Sequence, residues 1–183
     1  MLLTHKNSVL KTSDTLRSLQ LTEDDVIDII INHDSSEEKV KVADPSLLPK
    51  LTDKSYTITP SLEELSKMSE AQLKAVHHFS VRNDHGSIIF SGDTDVRELD
   101  LDDLIIIRKR EVEVYPDECH FKHPKGEKLN KSATITMLNA YPRDEFPDET
   151  MKDKLKAYCD KQGAQFIDYN PEEGVWVFKV KHF

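Results

Sequence analysis

Two adjacent residues at the end of the chain, His182 and Phe183, are the first candidates for chemistry. Imidazole is the side chain best suited to proton transfer at neutral pH, so His182 is a candidate general base for a nucleophile within hydrogen-bond reach. Judged alone, a single histidine is more often a half-exposed residue at a strand end than a catalytic residue. The residues around His182 must therefore decide between these two interpretations.

The residues that lead up to the end of the chain alternate in the manner of a β-strand. One face carries Trp176, Phe178, Val180 and His182, and the other carries Val177, Lys179, Lys181 and Phe183. Most domains end in a short polar tail, so an ordered strand that finishes on an aromatic resembles an edge made by cleavage. We expect Trp176 and Phe178 to be core residues, and Trp176, Phe178 and Val180 to border a groove near this edge.

Other histidines have simpler structural interpretations. His78-Phe79-Ser80 repeats the His-Phe pair and adds a serine, but it falls inside a predicted core strand, Val76–Arg82, where cleavage would split the domain. Strand alternation would place His77 and His78 on opposite faces, which with His85 is too loose an arrangement for a metal site. We therefore predict no metal and no cofactor.

The clustered aspartates, the short basic cluster and the two cysteines are also better explained as structural residues than as functional ones. Asp100, Asp102 and Asp103 lack the spacing of a calcium loop and are expected to form a solvated turn. The one short basic cluster, Arg108–Arg110, is expected to be a turn between two strands. Cys119 and Cys159 lack metal or redox spacing, which favours free thiols in a reducing compartment.

Composition narrows the class of protein. The 183 residues are 37% hydrophobic and 32% charged, with a net charge of -9 and a pI near 5.4. This acidic balance argues against nonspecific nucleic-acid binding, which depends on neutralising phosphates. No apolar run approaches the length of about 20 residues that a membrane helix needs, and no signal-peptide pattern opens the chain. We expect no contact with a membrane.

The elements that must position the terminal residues are mostly strands. We predict an α+β fold with a dominant antiparallel sheet of six or more strands, as a sandwich or half-open barrel, flanked by about three helices. The strands are Tyr56–Ile58, Val76–Arg82, Ser87–Phe90, Leu104–Ile107, Glu111–Tyr115, Ala133–Leu138, Gln165–Tyr169 and Val175–His182. Two short helices open at the capping boxes Ser61–Glu64 and Ser69–Gln72. A longer helix runs from Pro147 to about Lys161, with Met151, Leu155 and Tyr158 as its buried stripe and Gly163 as its stop.

The first 44 residues have a different character and are predicted to be an extension or linker before a domain of residues 45–183. Leu10, Leu16 and Leu19 are consistent with a short amphipathic helix. Leu21–Asn32 fits either a helix or a strand, because periodicity does not decide so short a run. Asp34–Lys41 has the composition of a polar linker.

Motifs across residues 45–183 resemble, in the same order, those of the nucleoporin autopeptidase family. This is the C-terminal autoproteolytic, pore-anchoring domain of the ninety-eight-kilodalton GLFG-repeat nucleoporins. The matching segments are Tyr56–Ile58, Pro60–Leu65, Gly86–Asp93, Leu99–Leu104, Ile107-Arg108, Glu111–Tyr115, Gly126, Leu129-Asn130, Lys161–Phe166, Tyr169, Pro171, Gly174 and Trp176–Val180 with His182-Phe183. The chain itself contains no GLFG repeat.

The resemblance implies self-cleavage after Phe183. In this family the precursor is cut between His-Phe and a following serine. The serine hydroxyl would attack the Phe183 carbonyl in an N-to-O acyl shift, and water would hydrolyse the ester, with His182 as base and backbone strain assisting. The implied activity is that of a serine-type endopeptidase acting once on its own chain. Without the serine the present chain is expected to be inactive, whether as cleaved product, as a chain cut at that bond or as a homologue that ends there.

The resemblance also implies docking after cleavage. The processed domain would tether an FG-repeat nucleoporin to the nuclear pore scaffold and so support transport of mRNA and protein. Its partners would be the amino-terminal segment of the following coat nucleoporin and a cytoplasmic-face scaffold nucleoporin, bound by a monomer. The alternatives are a non-cleaving, docking-only homologue and a weak RNA-binding module, against which the acidic pI counts.

Overall fold

The computed structural model describes residues 2–5, 8–9, 27–30, 42–141 and 148–183, which belong to two compact units, Met1–Lys41 and Val42–Phe183. In the first unit, strands β1 (Leu2–His5), β2 (Ser8–Val9) and β3 (Ile27–Ile30) form an antiparallel sheet in the order β2-β1-β3. The undecided stretch Leu21–Asn32 therefore contains a strand. The predicted helix around Leu10, Leu16 and Leu19 and the predicted linker Asp34–Lys41 lie outside the described residues, and the division after residue 44 stays a prediction.

The second unit alternates short helices with strands. Its strands are β4 (Thr57–Thr59), β5 (Val76–His77), β6 (Ser80–Asn83), β7 (Gly86–Phe90), β8 (Asp93–Thr94), β9 (Ile105–Arg108), β10 (Glu111–Val114), β11 (Ala133–Met137), β12 (Gln165–Asn170) and β13 (Val175–Val180). Its helices are α1 (Leu62–Leu65), α2 (Glu70–Leu73), α3 (Leu101–Leu104) and α4 (Asp148–Lys161), after a 3-10 turn at Pro45–Leu47. No helix among these described segments is long and apolar enough to cross a membrane.

The main sheet has six antiparallel strands in the order β12-β13-β11-β7-β6-β4, and the hairpins β9–β10 and β5–β8 are separate two-stranded sheets. Ile88, Ile135 and Phe178 are direct neighbours across β7, β11 and β13, so one face of the sheet is continuously apolar. On the other face Ile89 is 41% exposed beside Thr134. The predicted α+β class is confirmed, with four rather than about three helices in the described part of the chain.

The two predicted capping boxes are confirmed. Ser61 and Ser69 each accept a backbone N–H three residues ahead, and Glu64 and Gln72 each return a side-chain bond to the serine N–H. These contacts satisfy N–H groups that a helix start would otherwise leave unpaired. Local sequence alone thus determines where α1 and α2 begin.

Helix α4 buries a different stripe from the one predicted. Leu155 is 8% exposed as expected, but Tyr158 is 53% exposed, and Cys159, at 1%, occupies the buried position instead. The inward-facing residues Met151, Leu155 and Cys159 are therefore spaced i, i+4, i+8 rather than i, i+4, i+7. The predicted start at Pro147 lies outside the described residues, and Gly163 takes a φ of +66° just after the helix, as its predicted stop requires.

The strand predicted over Val76–Arg82 is interrupted. His78 lies between β5 and β6 with a φ of +53°, a left-handed conformation that ends the strand alternation. The predicted placement of His77 and His78 on opposite faces is wrong, since their ring centroids are 3.9 Å apart. Phe79, the next residue, is fully buried. Among the described residues no group of three His, Cys, Asp or Glu side chains could hold a metal ion.

The charged turns connect distant parts of the domain. Lys109 and Arg110 form the β9–β10 turn, as predicted, whereas Arg108, which was predicted to belong to the turn, is the last residue of β9. The solvated turn predicted for the aspartates is wrong, because Asp102 and Asp103 lie in α3 and Asp100 is its N-cap residue, paired with Lys50. The Asp102 carboxylate accepts hydrogen bonds from the backbone N–H groups of Thr52 and Asp53 and from the Thr52 hydroxyl. Burial acts to raise the pKa of Asp102, but these hydrogen bonds outweigh it and hold the pKa below its ordinary value.

Candidate functional site

The C-terminal segment leaves the sheet before the terminal pair of residues. Strand β13 ends at Val180, whose partner is Ala133, the first residue of β11. Beyond Val180 the segment has no opposing β11 residue, so the strand predicted to reach His182 stops two residues early. This departure frees Phe183 to make contacts outside the sheet.

The backbone of Phe183 is held by a buried side chain. Its N–H donates to Oδ1 of Asn130 across 3.1 Å. Asn130 is 3% exposed, and its Nδ2 donates to the carbonyl of His123 at 2.7 Å. Both ends of the carboxamide therefore have partners, which determines its orientation.

The Asn130 side chain is carried by a tight turn. Its backbone N–H donates to the carbonyl of Glu127, and its own carbonyl accepts from the N–H of Gly126. In the sequence, Asn130 stands out only as part of the family motif Leu129-Asn130, which indicates no role for it at the site. The only sequence signal for a special role of Asn130 is that it follows a loop containing glycine. Its contact with Phe183 cannot be inferred from the spacing of the two residues in the sequence.

The side chain of Phe183 is anchored at the end of the core. Its ring centroid lies 6.0 Å from that of Phe90 in a tilted arrangement, and Phe90 in turn stacks against Phe79 at 6.0 Å. Phe79 and Phe90 are fully buried, whereas Phe183 is half-buried. Phe183 is thus held at two points, through its N–H and through its ring.

His182 and Phe183 line the same cleft, of about 710 Å³, between β10, β11, α4 and β13. Strand alternation had predicted opposite sides for these two residues, and the prediction is wrong for Phe183 because the strand has already ended. His182 is exposed. Its imidazole is therefore accessible to solvent.

The predicted groove residues Trp176, Phe178 and Val180 lie along this cleft. Trp176 is 8% exposed and stacks on Phe178 with ring centroids 4.3 Å apart. Tyr158 of α4 meets the Trp176 ring edge-on at 5.9 Å. The remaining lining includes apolar Val112, Met137, Met151 and Leu155 and charged Arg110, Glu111, Glu113 and Lys154. The cleft therefore combines an aromatic floor with charged groups of both signs.

Comparison with known proteins identifies relatives of this chain. A family model described as Nup98-96 autopeptidase S59 matches residues 53–183. The chain belongs to the nucleoporin autopeptidase family. The resemblance identified from the sequence motifs is thereby confirmed.

Individual relatives of this autopeptidase domain agree. The "Nuclear pore complex protein Nup98-Nup96" of Dictyostelium discoideum is 41% identical over 145 residues, covering 74% of this chain. The chain spans only 7% of that relative's length. This relative is a nuclear pore complex protein, which agrees with the location at the nuclear pore that was predicted from the sequence.

Two solved structures share the fold. One is a Chaetomium thermophilum Nup145N APD mutant fused to Nup145C N, with 29% identity and a TM-score of 0.62 over 70% of this chain and 94% of that chain. The other is in the yeast heterotrimeric Nup82-Nup159-Nup116 nucleoporin complex, with 27% identity and a TM-score of 0.63 over 72% and 98% of the two chains. In both cases the match covers nearly the whole of the solved chain.

Proposed function

We propose that this domain cleaves its own precursor after Phe183 and afterwards docks a nucleoporin at the nuclear pore. The observation that carries the proposal is the double anchor of Phe183, whose N–H is held by Asn130 while its ring packs on Phe90. Anchoring both groups limits the orientations of the Phe183 carbonyl, and a restricted near-attack geometry is a major source of intramolecular rate acceleration.

The proposed reaction needs a serine directly after Phe183 in the precursor. Its hydroxyl oxygen attacks the Phe183 carbonyl carbon while His182 accepts the hydroxyl proton. The C–N bond then breaks, the proton passes to the leaving serine nitrogen, and an ester remains. Water hydrolyses this ester to the Phe183 carboxylate and the serine hydroxyl, and the proton released is taken up by the new serine amine. Atoms and protons therefore balance without a cofactor.

Asn130 has a positioning role in this scheme. It holds the N–H on one side of Phe183, and the scissile carbonyl lies on the other side of the same residue. Because its own carboxamide is fixed through the His123 carbonyl, it presents a rigid acceptor rather than a mobile one. Loss of this bond would let the backbone around Phe183 sample unproductive orientations.

Intact mass spectrometry of an extended precursor tests cleavage directly. The precursor carries Ser and a short tag beyond Phe183, and we expect a product that ends at Phe183. The product should be absent when that added serine is alanine, and much reduced in His182→Ala. His120→Ala, which changes an exposed histidine elsewhere, is the matched control. A folded precursor that stays uncut would instead support a docking-only domain.

The cleft beside Phe183 is the proposed docking site. Its aromatic floor and charged lining fit an extended peptide with apolar side chains, which is one common form of peptide recognition. The two solved relatives, one fused to Nup145C N and one in a Nup82-Nup159-Nup116 complex, support nucleoporin partners for this chain. We propose the segment that follows the cut in the precursor, and a scaffold nucleoporin, as alternative occupants at the pore, in support of mRNA and protein transport.

Competition binding tests the docking site. A fluorescent peptide continuing the precursor past Phe183 should bind the chain and be displaced by the scaffold nucleoporin. Tyr158→Ala, which removes the exposed ring over Trp176, should weaken peptide binding about tenfold, as central aromatic contacts commonly do. Ile167→Ala changes an exposed residue that does not line the cleft and serves as control. Equal affinity of the two variants for the peptide would exclude the cleft as the docking site.

A further inference from the structure

We propose that Tyr115 and His123 are positioning residues for cleavage, because they hold the loop that places Asn130 against the backbone of Phe183. The role in cleavage rests on the proposed function. The physical link between the four residues does not, and it can be measured in the chain that ends at Phe183.

The link begins at the end of strand β10. Tyr115 directly follows Val114, and its N–H donates to the carbonyl of Leu104 at 2.9 Å. Its φ of +63° turns the chain away from the strand, and its side chain is 8% exposed. A residue other than glycine in this conformation requires support from its surroundings. The Tyr115 ring is therefore a fixed point from which the following loop, residues 116–130, is held.

The hydroxyl of Tyr115 reaches the middle of that loop. Its oxygen lies 2.9 Å from Nδ1 of His123. The carbonyl of His123 accepts from Nδ2 of Asn130, whose Oδ1 accepts from Phe183 N–H. Three successive hydrogen bonds thus connect the end of β10 to the residue at the proposed cut.

The protonation state and the tautomer of His123 together determine the direction of the first bond. Burial raises the pKa of Tyr115 to about 12, against the opposing effect of the nearby backbone amides of Leu129 and Asn130. Burial also lowers the pKa of His123, so the imidazole is neutral near pH 7. When the neutral imidazole carries its hydrogen on Nε2, the hydroxyl donates and Nδ1 accepts. A protonated His123, with hydrogens on both ring nitrogens, could only donate.

The groups that face His123 carry both signs of charge. Within its own loop Lys128 lowers the His123 pKa and Glu127 raises it, and from the segment after β8 Asp95 raises it. His123 also shares a cleft of about 370 Å³ with Arg97, Glu98, Asp100, Asp103 and Cys119. The Phe121 ring meets His123 edge-on at 4.8 Å, and Lys122 lies 6.0 Å over the Tyr115 ring. Burial is the largest of these influences, so the neutral form dominates at neutral pH.

The link is tested by NMR on the chain ending at Phe183, in a His182→Ala background that removes the neighbouring imidazole. We expect the Phe183 amide and the Asn130 side-chain NH₂ resonances to shift together as pH falls through the lowered His123 pKa. Tyr115→Phe and His123→Ala should abolish this step and speed exchange of the Phe183 amide about tenfold. Tyr141→Phe and His120→Ala, at exposed positions, should leave the pH-dependent step and the Phe183 amide exchange rate unchanged.

Cleavage is measured separately in the precursor with Ser beyond Phe183. Tyr115→Phe should slow it about tenfold, and His123→Gln, which keeps a neutral acceptor, should retain more activity than His123→Ala. Unaltered Phe183 resonances in folded Tyr115→Phe and His123→Ala chains would refute the link. An altered Phe183 amide with wild-type cleavage rates would refute the positioning role. A wild-type precursor that never cleaves contradicts the proposed function while the NMR result still decides the link.

Discussion

The N–H of Phe183 and the side-chain oxygen of Asn130 meet at 3.1 Å although the two residues are 53 positions apart in the chain. This contact unites the loop after β10 with the end of β13. It gives a nucleoporin autopeptidase domain a rigid hold on the residue at its proposed cut.

Asn130→Ala should slow precursor cleavage and destabilise the fold. The change leaves the Phe183 N–H and the His123 carbonyl without their partner, and an unpaired buried polar group costs about 1–3 kcal/mol. Urea denaturation and intact mass spectrometry measure the two effects. Gln165→Ala, at an exposed position, is the control. Cleavage at the wild-type rate would remove Asn130 from the mechanism.

Phe183→Ala in the chain that ends at Phe183 should lower the free energy of unfolding by about 1–2 kcal/mol. The ring is half-buried against Phe90, so the loss should stay below the roughly 3–5 kcal/mol seen for fully buried aromatics. Thermal unfolding followed by the fluorescence of Trp176 provides the measurement. A change within error would show that the ring contact does not anchor the segment.

Asp102→Asn should make stability less dependent on acid pH. The Asp102 pKa is lowered in the folded domain, so its contribution is fully present above the unfolded pKa and is lost as pH falls through the folded value. The wild type should therefore lose more stability than Asp102→Asn between pH 5 and roughly pH 3. Asp117→Asn, at an exposed position, should follow the wild type. Parallel urea midpoints for all three chains across this range would contradict the role of the Thr52 and Asp53 contacts.

The two cysteines should differ in reactivity. Cys159 is 1% exposed, and burial raises the pKa of its thiol, which lowers the thiolate fraction at any given pH. Cys119 is half-buried in the loop that carries His123. A thiol reagent at pH 8 should modify Cys119 first, and Cys119→Ser should abolish the fast phase. A fast phase that survives in Cys119→Ser and disappears in Cys159→Ser would reverse the assignment.

Gly86→Ala should disrupt the pairing of β7 with β11. A Cβ at this position would lie 2.3 Å from the backbone carbonyl oxygen of Thr136, which cannot move without breaking the ladder. We expect a loss of about 2–4 kcal/mol, comparable to other severe core changes. Ser87→Ala, one residue along the same strand, is the control. Equal urea midpoints for the two variants would mean that the strand relaxes at little cost.

Local patterns predicted much of the fold. The boxes at Ser61 and Ser69 satisfy their own helix starts within four residues, so they could be identified without knowing the rest of the structure. The paired apolar faces of β11 and β13 follow from strand alternation in the same way. The burial of Cys159 rather than Tyr158 could not be predicted, because packing against the sheet decides which face of α4 is buried.

By itself, the sequence determined the family, the α+β class, the helix caps and the terminal pair His182-Phe183, because these are recorded in local order and composition. Only the tertiary structure decided that β13 ends at Val180, that the Phe183 ring packs against Phe90, and that the Asn130 side chain accepts a hydrogen bond from the Phe183 N–H. The reason is physical. A hydrogen bond between segments 53 positions apart depends on how loops close over a packed sheet, and residue spacing along the chain carries no measure of that distance.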